Sequence, residues 1–311
     1  MDNFHKKLSE VLQNENGCLC EEPMSHHTTF RVGGPAQYFI TVTNPVELTG
    51  VLKLCNEYDV PITVLGNGSN VLVSDAGIRG AVLRLSGEFL KSEITEDVSG
   101  QTLLVTVGAG RMLSSFAMEV ARLGYTGAEF AAGIPGTVGG AVMMNAGAYG
   151  GEIKDCIQNA EWVSFEGECR GFQREELQLS YRHSIFSEKQ GMITKAGFCF
   201  PKGEKEEILS KIEQLNRMRR EKQPLEYPSA GSTFKRPEGH FAGKLIQDCG
   251  LAGYSVGGAQ VSEKHCGFII NREAATAQEV YRLICEVSDR VEKEFGVRLE
   301  PEVRFLGKFT E

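Results

Sequence analysis

GIPGTVGGAVMMNAGAYGGE, residues 133–152, decides the reading of this chain, together with the shorter LGNGSN at 65–70. In the longer stretch, glycine stands at 133, 136, 139 and 140, then at 147, 150 and 151. Glycine at such spacing strips side chains from a run of backbone, so a flat or extended ligand can lie against it. The surroundings are nearly uncharged, which suits an aromatic ring system such as an isoalloxazine. LGNGSN follows the strand-like DVPITV and offers two glycines, a serine and two asparagines. Such a turn can point several backbone N–H groups and the Ser69 hydroxyl at a phosphate. Standing alone it would read as an ordinary strand-to-strand turn. One polar and one apolar glycine loop together match a long ligand with a pyrophosphate middle and a planar head.

The common nucleotide signatures do not fit as well. VGAGRML, 107–113, follows a strand and opens a helix, but Leu113 stands where a dinucleotide fingerprint needs its third glycine for close helix–strand packing. GNGSNVLV, 66–73, lacks the Lys-Ser/Thr pair of a P-loop.

The 311 residues suffice for about two domains, and 41% hydrophobic with 24% charged residues is ordinary for a globular protein. A net charge of -8 argues against nucleic acid as a main partner, while a local cationic pocket can still take an anionic small molecule. The nine cysteines are scattered and show only a Cys18-Leu19-Cys20 pairing. This supports neither a zinc site nor a disulfide framework, and reads as reduced thiols, mostly buried, in a cytosolic protein. The amphipathic, mixed-charge beginning, MDNFHKKLSEVLQNENG, is not a signal peptide, and no run approaches the ~18 apolar residues of a membrane span.

Periodicity places helices at 3–15, 45–58, 111–123, 204–222 and 277–295. Asn44 before Pro45 is a helix start. Thr276 and Glu279 form a capping box, and Gly296 closes that last helix. Strands are expected at 36–43, 59–66, 71–85, 101–110, in short pieces over 159–200, and at 298–307. Strands and helices interleave, with too many short strands for a simple doubly wound sheet, so the class is α+β, with a boundary near 200–225.

Five segments now occur in order: LGNGSNVLV (65–73), GIPGTVGGAVMMNAGAYGGE (133–152), LSYRHSIF (179–186), AGSTFKRP (230–237) and LEPEVRFLG (299–307). Together they resemble the UDP-N-acetylenolpyruvoylglucosamine reductase (MurB) family, from about residue 25 to 307. The resemblance implies a PCMH-type (vanillyl-alcohol-oxidase-like) FAD-binding domain of two α+β subdomains at 25–204. A C-terminal α+β substrate-binding domain would follow at 205–311, after an N-terminal helix region at 1–24. It further implies non-covalent FAD, with Leu65, Gly66, Asn67, Gly68, Ser69 and Asn70 at the pyrophosphate. Gly133, Ile134, Pro135, Gly136, Thr137, Gly139 and Gly140 would line the flavin. NADPH as co-substrate would share one site in turn with the sugar nucleotide. The implied role is reduction of UDP-N-acetylglucosamine enolpyruvate to UDP-N-acetylmuramate for peptidoglycan, hence cell-wall biogenesis, cell shape and division, by a cytoplasmic monomer.

Hydride delivered to the terminal enol carbon leaves negative charge on the adjacent carbon, spread into the carboxylate, and that carbon must then be protonated. By the resemblance, Arg182 stabilises this charge, Ser232 donates the proton and Glu302 assists. From the residues alone, Arg182 reads rather as a structural ion pair, and Glu302 as a solvated charge that would share a strand face with Arg304; Glu300 is a second candidate. Ser232 fits no nucleophile elbow, because Ala230 and Phe234 stand where G-x-S-x-G needs glycine. Its rival role is phosphate contact. The six histidines, His183 and His265 included, suggest no triad. Lys235, Arg236, Lys244 and Lys264 are candidates for the substrate diphosphate and carboxylate, and Arg236 replaces the family's commoner asparagine. The extra tyrosine loop of one family branch has no equivalent in 183–200, which points to the shorter branch. Two other readings share some of these features: an oxidase of the same fold, and a sugar-nucleotide-binding regulator without catalysis.

Overall fold

The structure is a computed structural model and describes residues 3–12 and 17–310. The chain forms two compact units, neither continuous in sequence. The first comprises Met1–Leu19, Tyr38–Asn67 and Gly80–Met218; the second comprises Cys20–Gln37, Gly68–Arg79 and Arg219–Glu311.

The larger core of the first unit is built on a five-stranded antiparallel sheet. Its spatial order is Cys169–Gln173, Ile157–Ser164, Gly191–Pro201, Thr102–Gly108 and Ser92–Glu96. The helix Leu113–Arg122 follows the fourth of these strands and buries Leu113, Phe116, Ala117, Val120 and Ala121. Phe116 packs on Phe198 and Phe200, with ring centroids 5.2 and 5.9 Å apart, so the apolar stripe read from the sequence is the packing face. Both neighbours of Thr102–Gly108 are antiparallel. A dinucleotide fold needs a parallel partner after the helix, and the missing third glycine agrees with this topology.

A second core of the first unit holds the helices Asn3–Val11 and Pro45–Glu57, with Phe4, Leu8, Leu48, Val51 and Leu52 buried. Asn44 caps the second helix, its Oδ1 accepting from the Glu47 N–H at 3.0 Å. This matches the start signal. Residues 13–15 of the first predicted helix lie outside the described residues.

In the second unit, the helix Ala277–Phe295 packs Val280, Leu283, Ile284, Val287 and Val291 into the core. Its capping box is formed: Glu279 N–H donates to Thr276 Oγ1 at 3.1 Å, and Thr276 N–H donates to Glu279 Oε2 at 2.9 Å. Asp75 adds a second cap, accepting from the N–H groups of Ala277 and Gln278 at 2.8 Å each. A carboxylate there also meets the positive end of the helix dipole. A three-stranded sheet, Ser255–Val256, Ala259–Val261 and Ile269–Asn271, completes this core.

The structure departs from the sequence reading at several places. The stretch 71–85 is two strands, Val71–Val73 and Ile78–Leu85, which belong to different sheets. The last strand is only Arg304–Leu306, parallel to Val71–Val73. Val303 sits in a bend, so regular alternation does not reach back to Glu302 and the shared face with Arg304 does not follow. Two short helices, Val138–Met143 and Ala242–Asp248, carry too little apolar periodicity to be seen in sequence. All nine cysteines are free thiols, but only Cys55, Cys156 and Cys266 are buried. Burial pushes the Cys55 and Cys156 thiols up to about 12, which keeps them protonated and unreactive.

Candidate functional site

The glycine loops come first. In the first unit, Asn67 Nδ2 donates to the Pro135 carbonyl at 2.6 Å, which joins the polar loop to the apolar one. Gly66 is part of the same contact: a Cβ there would stand 2.6 Å from Thr137 Oγ1. The stretch VGAGRML, which resembled a nucleotide turn, instead scaffolds the second loop. The Leu113 N–H donates to Gly136, Val138 to Arg111, and Gly139 to Ala109, at 2.9, 2.8 and 2.8 Å. Thr137 then caps the helix Val138–Met143 through Gly140 N–H at 3.3 Å.

Gly68 has φ +63°, and a Cβ would fall 2.0 Å from the His27 carbonyl oxygen. Only glycine suits this position. Among the described residues, none accepts from the backbone N–H of Gly66, Asn67, Gly68, Ser69 or Asn70. Three of these, on Gly68, Ser69 and Asn70 of the second unit, are consecutive donors that fit a phosphate group. The backbone carries no side chain at Gly133, Gly136, Gly139 and Gly140, which with Ile134, Pro135 and Thr137 between them suits a planar group. Taken each by itself, the donors suit the diphosphate of FAD and the glycines its planar ring.

Arg182 also belongs to the first unit. It sits in a two-residue turn closed by Ser180 N–H to His183 O at 3.1 Å and His183 N–H to Ser180 O at 3.2 Å. Its φ is +55°, and its guanidinium lies over the Tyr181 ring, 5.1 Å from the centroid. The glycine-rich segment holds this turn on both sides. Asn145 Nδ2 donates to the Ser180 carbonyl at 3.0 Å, and Ser184 Oγ donates to the Met143 carbonyl at 2.8 Å.

In the second unit, residues 233–235 run beside 300–302. Glu302 N–H donates to Thr233 O, and Lys235 N–H to Glu300 O, both at 2.8 Å, with Phe234 and Pro301 bridged between them. Ser232, exposed next to fully buried Thr233, is thereby set at the end of the segment that carries Glu302. Asn70 ties the same segment to the polar loop. Its Nδ2 donates to the Glu302 carbonyl at 3.1 Å, and its own carbonyl accepts from Arg304 N–H at 3.0 Å. Thr29 makes a second tie, N–H to Gly68 O at 3.1 Å and Oγ1 to Ser229 O at 2.6 Å.

The four candidate cations are not gathered by any one contact. Lys235 pairs with Glu300 at 3.0 Å, and Lys244 with Asp248, one turn along its own helix, at 2.6 Å. Lys264 donates to the Arg220 carbonyl at 2.8 Å and pairs with Glu226 at 3.5 Å. Arg236 lies over the exposed Phe241 ring, 4.0 Å from its centroid. Glu300, the second candidate carboxylate, is thus engaged by Lys235.

Two residues outside the sequence candidates support these groups: Asn145 at the Arg182 turn and Thr233 against Glu302. Asn145 lies inside a quoted motif and has φ +41°, yet only its partners distinguish it from other loop asparagines.

Two family models match the chain. That for the UDP-N-acetylenolpyruvoylglucosamine reductase C-terminal domain covers residues 223–306, and that for an FAD binding domain covers 36–172. A UDP-N-acetylenolpyruvoylglucosamine reductase of Lachnoclostridium phytofermentans is 54% identical over 303 residues, 97% of each chain. One from Agathobacter rectalis is 50% identical over 312 residues, 98% of this chain and 99% of the relative. Among solved structures, the enzyme of that name (MurB) from Thermus caldophilus superposes with a TM-score of 0.76 at 38% identity, covering 92% of this chain and 97% of the other. The fold is therefore α+β, with an FAD-binding domain followed by the C-terminal domain of the reductase family, as the motifs implied. With identity at this level along almost its whole length, the chain belongs to the UDP-N-acetylenolpyruvoylglucosamine reductase family.

Proposed function

We propose that this protein reduces UDP-N-acetylglucosamine enolpyruvate to UDP-N-acetylmuramate in peptidoglycan precursor synthesis, with NADPH as reductant. The observation that carries the residue-level reading is the pairing of 233–235 with 300–302, which links the Ser232 and Glu302 segments through two backbone hydrogen bonds of 2.8 Å each. FAD would be held by the N–H groups of 66–70 and the glycine-lined backbone of 133–140, and when bound supplies the hydride for the terminal enol carbon.

The protein's own groups carry the rest. As charge grows on the carbon next to the carboxylate, the Arg182 guanidinium stabilises it; loss of one such donor costs about 10²–10³ in rate. Ser232 gives its hydroxyl proton to that carbon. A neutral hydroxyl is a weak acid, useful only to a strongly basic partner, and an enolate carbon is one. Glu302 assists the transfer. Lys235, Arg236, Lys244 and Lys264 bind the anionic ends of the substrate. We assign the FAD-binding role to 25–204, the substrate-binding role to 205–311, and a monomer acting in the cytoplasm on small-molecule substrates. Among the described residues, no helix is long and apolar enough to cross a membrane.

The test is Ser232→Ala, followed by flavin absorbance. Reduction of the flavin by NADPH should stay largely intact. Anaerobic reoxidation by the enolpyruvyl substrate should slow by about 10²–10⁴-fold, the usual worth of general acid catalysis. Equal loss in both half-reactions would exclude Ser232 as the proton donor.

A further inference from the structure

We infer that Asn145 is a positioning residue for Arg182; the inference rests on Arg182 acting in the reduction as proposed above. Asn145 is completely buried, and its amide serves three partners on two chain segments at once. Nδ2 donates to Glu152 Oε2 at 2.5 Å and to the Ser180 carbonyl at 3.0 Å, while Oδ1 accepts from Lys154 N–H at 2.9 Å. Both amide hydrogens are thus used, and an amide has only two to give. The Ser180 carbonyl is the acceptor that also closes the Tyr181–Arg182 turn, through His183 N–H at 3.2 Å.

That turn needs a brace. Arg182 has φ +55°, a conformation disfavoured for a residue with a side chain and kept only where the surroundings impose it. Asn145 fixes the turn's first carbonyl. On the far side, Ser184 Oγ fixes the Met143 carbonyl at 2.8 Å, two residues before Asn145. A buried amide used in this way transmits the position of the glycine-rich segment to the guanidinium. The chain that continues directly from the stretch proposed to line the flavin then also sets where Arg182 stands.

The test compares the holoenzyme with Asn145→Ala, Arg182→Ala and the double variant. Asn145→Ala should slow flavin reoxidation by the enolpyruvyl substrate about 10²-fold, the cost of a misplacement near 1 Å, and leave reduction by NADPH unchanged. The double variant should be no slower than Arg182→Ala, because groups acting as a unit are not additive. In cofactor-free protein, amide exchange at 180–183 should quicken in Asn145→Ala. Losses that multiply in the double variant, or equal loss in both half-reactions, would make Asn145 merely structural. If Asn145→Ala does not fold, Ser184→Ala takes its place: it should slow only reoxidation, and unchanged reoxidation would overturn the inference. Should Arg182→Ala leave reoxidation untouched, the role given to Arg182 fails, while faster exchange at 180–183 in Asn145→Ala would still establish the brace.

Discussion

Thr233 offers the most direct test of the second-unit geometry. Its side chain is fully buried, and Oγ1 accepts from the N–H of Ile269 at 3.0 Å. Its backbone is engaged on both sides, N–H to Gly267 O and O from Glu302 N–H, each at 2.8 Å. Thr233→Val keeps the shape and these backbone bonds but removes the oxygen, which strands the N–H of Ile269, a residue only 1% exposed. An orphaned buried donor costs about 1–3 kcal/mol, so amide exchange at Ile269 should rise by about 5–150-fold. Thr233→Ser keeps the oxygen and drops one methyl group, a loss of about 1 kcal/mol in packing, so Ile269 should remain the better protected of the two variants. Residue-resolved hydrogen exchange on the wild type and both variants reads this directly. Since the pairing with Glu302 survives in Thr233→Val, reoxidation by the enolpyruvyl substrate should fall far less than in Ser232→Ala. Equal exchange at Ile269 in the valine and serine variants would refute the assignment of that hydrogen bond.

Two further perturbations probe the loops. Gly68→Ala places a Cβ 2.0 Å from the His27 carbonyl at φ +63°; the left-handed conformation alone costs about 1–2 kcal/mol. FAD binding, followed by flavin fluorescence, should weaken by at least about 5–30-fold, and an unchanged affinity would remove this loop from the cofactor site. His265 titrates below the usual histidine range because it is buried, while its Nδ1 accepts from Gly267 N–H at 3.1 Å. A depressed folded-state value means its stability contribution is complete above about pH 6.5, the unfolded value. The contribution is lost as pH falls from there toward the folded-state value. His265→Gln should flatten the drop in melting temperature between about pH 6.5 and 5, and superimposable pH profiles for the two proteins would show that His265 does not cause it.

Local chemistry was legible in the sequence wherever the deciding contact is also local. Asn44 caps the helix that begins at Pro45, and Thr276 with Glu279 caps the helix that ends at Gly296. Of the periodic residues Leu113, Phe116, Val120 and Leu123, the first three are buried, while Leu123, at the C-cap, is exposed. Where distant segments decide, the same reading had nothing to work with. Val71–Val73 pairs with Arg304–Leu306, from opposite ends of the chain, and no local pattern marks that register. The strand over 298–307 was expected to be long because its residues alternate; Pro301, without an N–H, and the bend at Val303 shorten it.

The candidate site divides along the same line. Arg182, Ser232 and Glu302 can be named in the sequence because the motifs around them resemble those of the family; residue type alone leaves Arg182 an ion pair and Glu302 a solvated charge. The residues that hold them cannot, since a brace is defined by what it touches. Asn70 shows the difference. In sequence it is the last polar residue of a phosphate-like turn, but in the fold it grips Glu302 and Arg304 through the backbone, at 3.1 and 3.0 Å. Its side-chain amide is therefore committed to the strand-side segment, and what it can offer a diphosphate is its backbone N–H. The polar loop is then a joint as well as a cradle: the residues that would hold the diphosphate also fix the backbone of Glu302. On the proposed reading, a diphosphate held at 68–70 in the second unit would therefore bear on the backbone at Glu302.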